Sequence, residues 1–212
     1  MSLLAILSLI CGAVSLLLLL SLHFVSPEFK PSWKMVSEYA LGKNKTLLTF
    51  FFFCWGFGSL LNAIVLWNIV TNSSAAFGVV LVFISGVGAI MGGLFDVKHK
   101  WHGLAFLLGI PTLLIGSLLV AYNLITIESW QIFSTLILVS THLVWISCGL
   151  MATTMMVMIA GFKSAGVPFG KDAKPPKQVP DGVIALVGYA NRLLVCCYIF
   201  WTMLTAYIFL SI

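Results

Sequence analysis

Three short polar segments hold the side chains that could do chemistry. The first, FDVKHKWHG at residues 95–103, sets Asp96, His99 and His102 three residues apart. A continued helical turn would bring those three near one face. With His142 or Glu38 added, they would make a nitrogen and oxygen donor set with one open position, the arrangement of a catalytic zinc. Glu38 would then activate water for hydrolysis of a lipid ester or amide. The second segment, MVSEYALGKNK at 35–45, supplies Ser37, Glu38 and Tyr39. The third, VGYANRLL at 187–194, supplies Asn191 and Arg192. The same residues suit a different chemistry, recognition of an anion, with no metal and no cofactor. Ionisable groups at a membrane boundary take partners, so Asp96 is expected to pair with Arg192, with His102 donating a hydrogen bond nearby. Such a pair serves either as a structural network or as the wall of a ligand site.

The elements that must position these residues follow from composition. Hydrophobic residues make up 61% of the 212 and charged ones 8%, against roughly a quarter charged in a soluble domain; mean hydropathy is +1.12. Backbone polar groups in lipid must be bonded internally, which admits helices or closed barrels. The apolar runs are continuous and lack the alternation of barrel strands. About 20 apolar residues cross the hydrocarbon core. Six stretches meet that length: 2–23, 47–70, 75–95, 102–122, 131–161 and 186–211. The reading is an all-α integral membrane protein, a six-transmembrane-helix bundle forming a single membrane domain over 1–212. The first stretch has no basic flank and exceeds the apolar core of a signal peptide, so it is read as a retained span. Gly88 and Gly92 make a small-xxx-small pair for close helix packing. Cys11, Cys54, Cys148, Cys196 and Cys197 all fall inside spans without paired spacing, and are read as small buried hydrophobes.

Charge supplies the threading. Lys30, Lys34, Lys43 and Lys45 lie between the first two spans, and Lys98 and Lys100 between the third and fourth. Lys163, Lys171, Lys174, Lys177 and Arg192 lie between or beside the last two, which completes the 11 basic residues. All three connections share one side, so the positive-inside rule makes it cytoplasmic and places both termini outside. Glu28, Glu38, Asp96, Asp172 and Asp181 are on that side as well. The expected partners are membrane lipids, whose anionic headgroups attract the lysines, and no nucleic acid; oligomeric state is not readable. KDAKPPKQVPDG at 171–182 is expected to be the most mobile loop.

SEYALG before a Phe-rich span bearing WGFGSL, an aspartate and HG flanking the third and fourth spans, and an arginine opening the last resemble a known family. It is the bacterial and archaeal six-span membrane family called domain of unknown function nine-nine-eight. Ser37, Glu38, Tyr39, Asp96, His102 and Arg192 are the positions that carry the likeness. The resemblance implies a bacterial or archaeal plasma membrane and no established activity. The layout is more remotely similar to the Frag1, DRAM and Sfk1 group, which implies lipid handling; the first loop of that group faces the lumen, whereas the lysines here place it in the cytoplasm. The leading reading is a cytoplasmic-side cavity that binds an anionic lipid headgroup or small anion, lined by Ser37, Glu38, Tyr39, Asp96, His102, Asn191 and Arg192. The alternatives are the metal-dependent hydrolase, with Asp96, His99, His102 and His142 as candidate ligands, and a non-enzymatic transporter or scaffold.

Overall fold

The computed structural model describes residues 1–167, 176 and 178–212. Six long helices account for the apolar stretches: α1 (Ser2–Val25), α2 (Lys45–Trp67), α3 (Ser73–Leu94), α4 (His102–Leu124), α6 (Ser134–Ser164) and α7 (Val187–Ser211). Each is long and apolar enough to cross a membrane, and each begins and ends within three residues of the sequence expectation. Two short elements went unforeseen. A 3-10 turn occupies Val36–Leu41, and α5 (Glu128–Gln131) precedes α6. The α5 turn buries Trp130 at 1% exposure, which anchors the chain before α6 starts. Half of the loop expected to be mobile, including Lys171, Asp172, Lys174 and Lys177, lies outside the described residues.

The long helices close into a ring in chain order. α1 packs on α2, α2 on α3, α3 on α4, α4 on α6, α6 on α7, and α7 returns to α1, with α2 also touching α7. Burial sorts the side chains accordingly. Phe51, Leu113, Tyr198 and Trp201 are fully buried inside the ring, while Leu17, Phe50, Ile146 and Phe200 stand exposed on its outer surface. That outward apolar surface is what lipid, rather than water, accommodates.

Glycines set how closely α3 approaches its two neighbours. A Cβ on Gly86 would lie 2.9 Å from the Gly56 carbonyl oxygen of α2, and one on Gly88 would lie 2.7 Å from Gly109 Cα of α4. Backbone thus meets backbone at both contacts, as small residues permit in membrane helices. Gly88 does what its spacing suggested. Gly92 instead faces the Phe52 ring, 3.2 Å from where its Cβ would be. The cysteines are all free; Cys196 is exposed and the other four half-buried, with Cys148 and Cys197 packed against the core.

Candidate functional site

The three polar segments meet at one end of the ring because α7 and α2 each hold part of the connecting chain. Residues 26–44 leave α1 and cross this end before α2 begins. Gly188, in the first turn of α7, lets that crossing lie directly on the helix: its N–H donates to Ser32 O at 2.9 Å, and a Cβ there would come within 2.7 Å of Lys34 O. One helical turn later, Asn191 accepts the Val36 N–H on Oδ1 at 2.9 Å and donates from Nδ2 to Met151 Sδ of α6 at 3.5 Å.

Arg192 completes the clamp. Its Nη1 donates to Lys34 O at 2.6 Å, Gly188 O at 2.9 Å and Pro31 O at 3.3 Å. Its Nη2 donates to the Tyr39 hydroxyl at 3.0 Å, and its Nε to His23 Nε2 at 2.6 Å. His23 in turn has Nδ1 2.6 Å from Leu19 O. A carbonyl accepts only, so Nδ1 carries the proton and Nε2 is the acceptor, a tautomer assigned by the network. Arg192 is buried, with only 8% exposure, and no carboxylate among the described residues forms an ion pair with it. Oxygen dipoles, one imidazole nitrogen and the Tyr39 ring, 5.5 Å away, compensate its charge.

The expected pairing of Asp96 with Arg192 is therefore not formed. Asp96 lies just beyond α3, whose neighbours are α2 and α4, whereas Arg192 is on α7 between α1 and α6. Asp96 Oδ2 meets Lys45 Nζ at the start of α2, 3.0 Å away, and Oδ1 accepts the Lys98 N–H at 3.1 Å. The Lys45 hydrogen bond, with help from the Lys98 amide and the Lys45 charge, holds the Asp96 carboxyl below its ordinary pKa. Glu38 has a local task as well. Oε1 pairs with Lys34 at 2.8 Å and Oε2 accepts the Met35 N–H at 2.8 Å, which caps the 3-10 turn.

The candidate zinc ligands have separate surroundings too. His102 Nδ1 is 2.9 Å from Phe95 O and not bonded to Asp96. His99 is exposed, its ring stacked on Phe95 at 4.5 Å, with Nδ1 accepting the Trp101 N–H at 3.2 Å. His142 is exposed on α6, edge-on to Tyr122 at 6.3 Å. Among the described residues no group of three or more His, Cys, Asp or Glu side chains gathers as a metal would require.

What three of the predicted residues do share is a cavity. A half-open cavity of about 80 Å³ is lined by Ser37 from the 3-10 turn, His102, Ala105, Phe106, Gly109 and Ile110 from α4, and Asn191 and Val195 from α7, with Phe52 and Trp55 from α2 and Gly88, Ala89 and Gly92 from α3. Its lining is mostly apolar with a few convergent polar groups, the character of a small-molecule site. His102 begins α4, where the helix dipole favours negative charge. Its Nδ1–H is committed to Phe95 O, so Nε2 is the nitrogen left for a ligand. The Ser37 hydroxyl makes no hydrogen bond to any described residue, and neither does the buried Trp55 Nε1–H. An unmade bond at a buried donor costs about 1–3 kcal/mol. Glu38, Tyr39, Asp96 and Arg192 do not line the cavity.

Two contributors escaped the sequence reading. His23, absent from the expected site residues, is Arg192's nitrogen partner. A usable signal existed, since a buried arginine needs acceptors and His23 is the ionisable residue closing α1. Trp55 was visible only as part of an apolar run.

Six membrane-crossing helices in a closed ring, with a loop clamped over one end, define a polytopic integral membrane protein. Residues 9–208 match the model of the family described as Protein of unknown function (DUF998). The match spans nearly the whole chain, and the chain belongs to that family. No curated protein and no solved structure matches it.

Proposed function

We propose that this protein binds an anionic lipid headgroup, or a small anion of the same chemistry, in the cavity at its lysine-rich end, in a lipid-handling role. One finding carries the reading: Ser37, His102 and Asn191, from three segments far apart in sequence, line a single cavity. The donors left over there are of the right kind. His102 Nε2 when protonated, the Ser37 hydroxyl and the start of α4 all favour an acceptor bearing negative charge. The lysines around the mouth add long-range attraction for anionic lipid. Arg192 contributes by building rather than by binding, because its donors are committed to the first loop, His23 and Tyr39.

The test is binding of inorganic phosphate and of a phosphate-headed lipid to the purified protein and to His102→Ala. The wild type binds at least one of them, and the variant binds it at least tenfold more weakly. Absence of binding of either probe to the wild type sinks the proposal.

A further inference from the structure

The cavity reaches far below its polar mouth. His102 starts α4, and Asn191 is four residues into α7, about 6 Å along the axis; Trp55 is ten residues into α2, about 15 Å along it. Between these levels the lining is apolar, made by Phe52, Ala105, Phe106 and Val195. Trp55 lines the same cavity at 7% exposure, and its Nε1–H is a buried donor without an acceptor. Its ring is held on three sides, stacked on Phe52 at 5.8 Å and tilted or edge-on to Phe51 and Tyr198 at 6.0 and 6.1 Å. An indole fixed in this way cannot turn its N–H toward water, so the acceptor must come to it. Buried unsatisfied donors are rare enough that each calls for a partner.

We propose that the occupant is an acyl lipid, with its headgroup at Ser37, His102 and Asn191, and with the carbonyl of its ester or amide linkage accepting from Trp55 Nε1–H. This rests on the reading of the cavity as a headgroup site and adds the depth and class of the ligand. Lipids of this kind carry a polar head, a neutral carbonyl acceptor and an apolar chain, and the cavity offers polar side chains at its mouth, the Trp55 donor and apolar walls to receive them. The half-open side, where Phe106 is 50% exposed on the outer surface of α4, lets the chain lie along lipid.

The experiment compares two phospholipids with the same headgroup, one ester-linked and one ether-linked, so that only the carbonyl differs. Each is titrated against wild type, Trp55→Phe and His102→Ala in detergent, with inorganic phosphate as a third probe. Trp55→Phe keeps a ring and removes the donor. Wild type is expected to bind the ester lipid about fivefold more tightly than the ether lipid, the worth of one hydrogen bond. Trp55→Phe should bring the ester lipid down to the ether level and leave the ether lipid unchanged, which also reports an intact fold. Equal binding of ester and ether lipid by wild type overturns the proposal. So does an equal loss of both in Trp55→Phe, which marks the indole as a packing element. Phosphate binding without lipid binding overturns the acyl-lipid assignment and leaves the anion site standing. Failure of all three probes on wild type removes the site reading itself.

Discussion

Arg192 Nε donates to His23 Nε2 across 2.6 Å, and this bond joins the second turn of the last helix to the last turn of the first. The remaining guanidinium donors pull the loop after α1 down on α7. Arg192→Met would leave three carbonyls and a tyrosine hydroxyl short of donors in a buried place, a loss of about 3–5 kcal/mol. Arg192→Lys should rescue little, because one ammonium cannot reproduce the fork that reaches all five groups. Thermal unfolding in detergent checks both. His23→Ala, which removes a single acceptor, should be milder than Arg192→Met; equal losses would mean that His23 holds more than this one bond.

Gly188 is the second support of the same clamp. Its Cβ-free surface touches the backbone of residues 31–34, and backbone cannot swing aside as a side-chain tip does. Gly188→Ala should lift the first loop from α7 and cost about 1–3 kcal/mol, as overpacking does. Faster proteolysis within residues 26–44 would report the lifting. A variant with wild-type stability and wild-type loop protection would show that the contact is adjustable.

The Lys45–Asp96 bridge is a different kind of contact. Both side chains are partly exposed, at 47% and 28%, so the pair contributes about 0.5 kcal/mol. Its pH dependence has a definite sign. Asp96 is held below its ordinary pKa, first by the Lys45 hydrogen bond. The contribution is therefore complete above about pH 4, the unfolded carboxyl's pKa, and fades as pH falls through the lower folded value. Asp96→Asn should lose this small amount at pH 7 and show a flatter stability profile on acidification. Combined with Arg192→Met, its effect should add without coupling, since the two side chains share no partner; a coupling above about 1 kcal/mol would contradict that.

The lysine distribution predicts that Met1 and Ile212 are extracytoplasmic and that the 3-10 turn Val36–Leu41 faces the cytoplasm. The contacts that bring Arg192 to residues 31–39, and Asp96 to Lys45, put the basic connections at one end of the ring. The positive-inside rule then orients that end. Single cysteines near each terminus and in the first loop, in a background without native cysteines, can be labelled by a membrane-impermeant reagent. Labelling of the loop cysteine on intact cells, with the termini protected, would reverse the orientation.

Helix number and bounds were readable because a run of about 20 apolar residues has one stable form in lipid. Gly88 was readable for a similar reason, since small residues mark where helix backbones meet. The partners of the charged residues were not. Asp96 and Arg192 looked complementary in sequence, but a ring built in chain order puts α2 beside α3 and α1 beside α7, so each found a nearer group in Lys45 and His23. Ser37, His102 and Asn191 do line one cavity, as proximity of three polar segments to one membrane face suggested. Trp55 stayed hidden because its role depends on an absent bond, and unmade bonds leave no trace in residue order.

His102 and His99 separate the binding reading from the metal reading most sharply. His102 lines the cavity, begins α4, and has Nδ1 fixed on Phe95 O, which leaves Nε2 as its free nitrogen. His99, three residues earlier, is exposed and stacked on Phe95 outside the cavity. A charge-assisted hydrogen bond to an anion is worth about 1.5–3 kcal/mol, so His102→Ala should weaken phosphate-headed lipid binding by about 10- to 150-fold. His99→Ala removes only a solvent-facing ring and should stay within about twofold of wild type. His102→Gln, which offers an amide donor without the charge, should fall between His102→Ala and wild type. If His99 and His102 were ligands of one metal ion, both alanine variants would be equally severe and bound zinc would disappear with either. Metal analysis alongside the binding curves reads that outcome directly, and equal, severe losses with zinc release would reverse the ranking argued for this site.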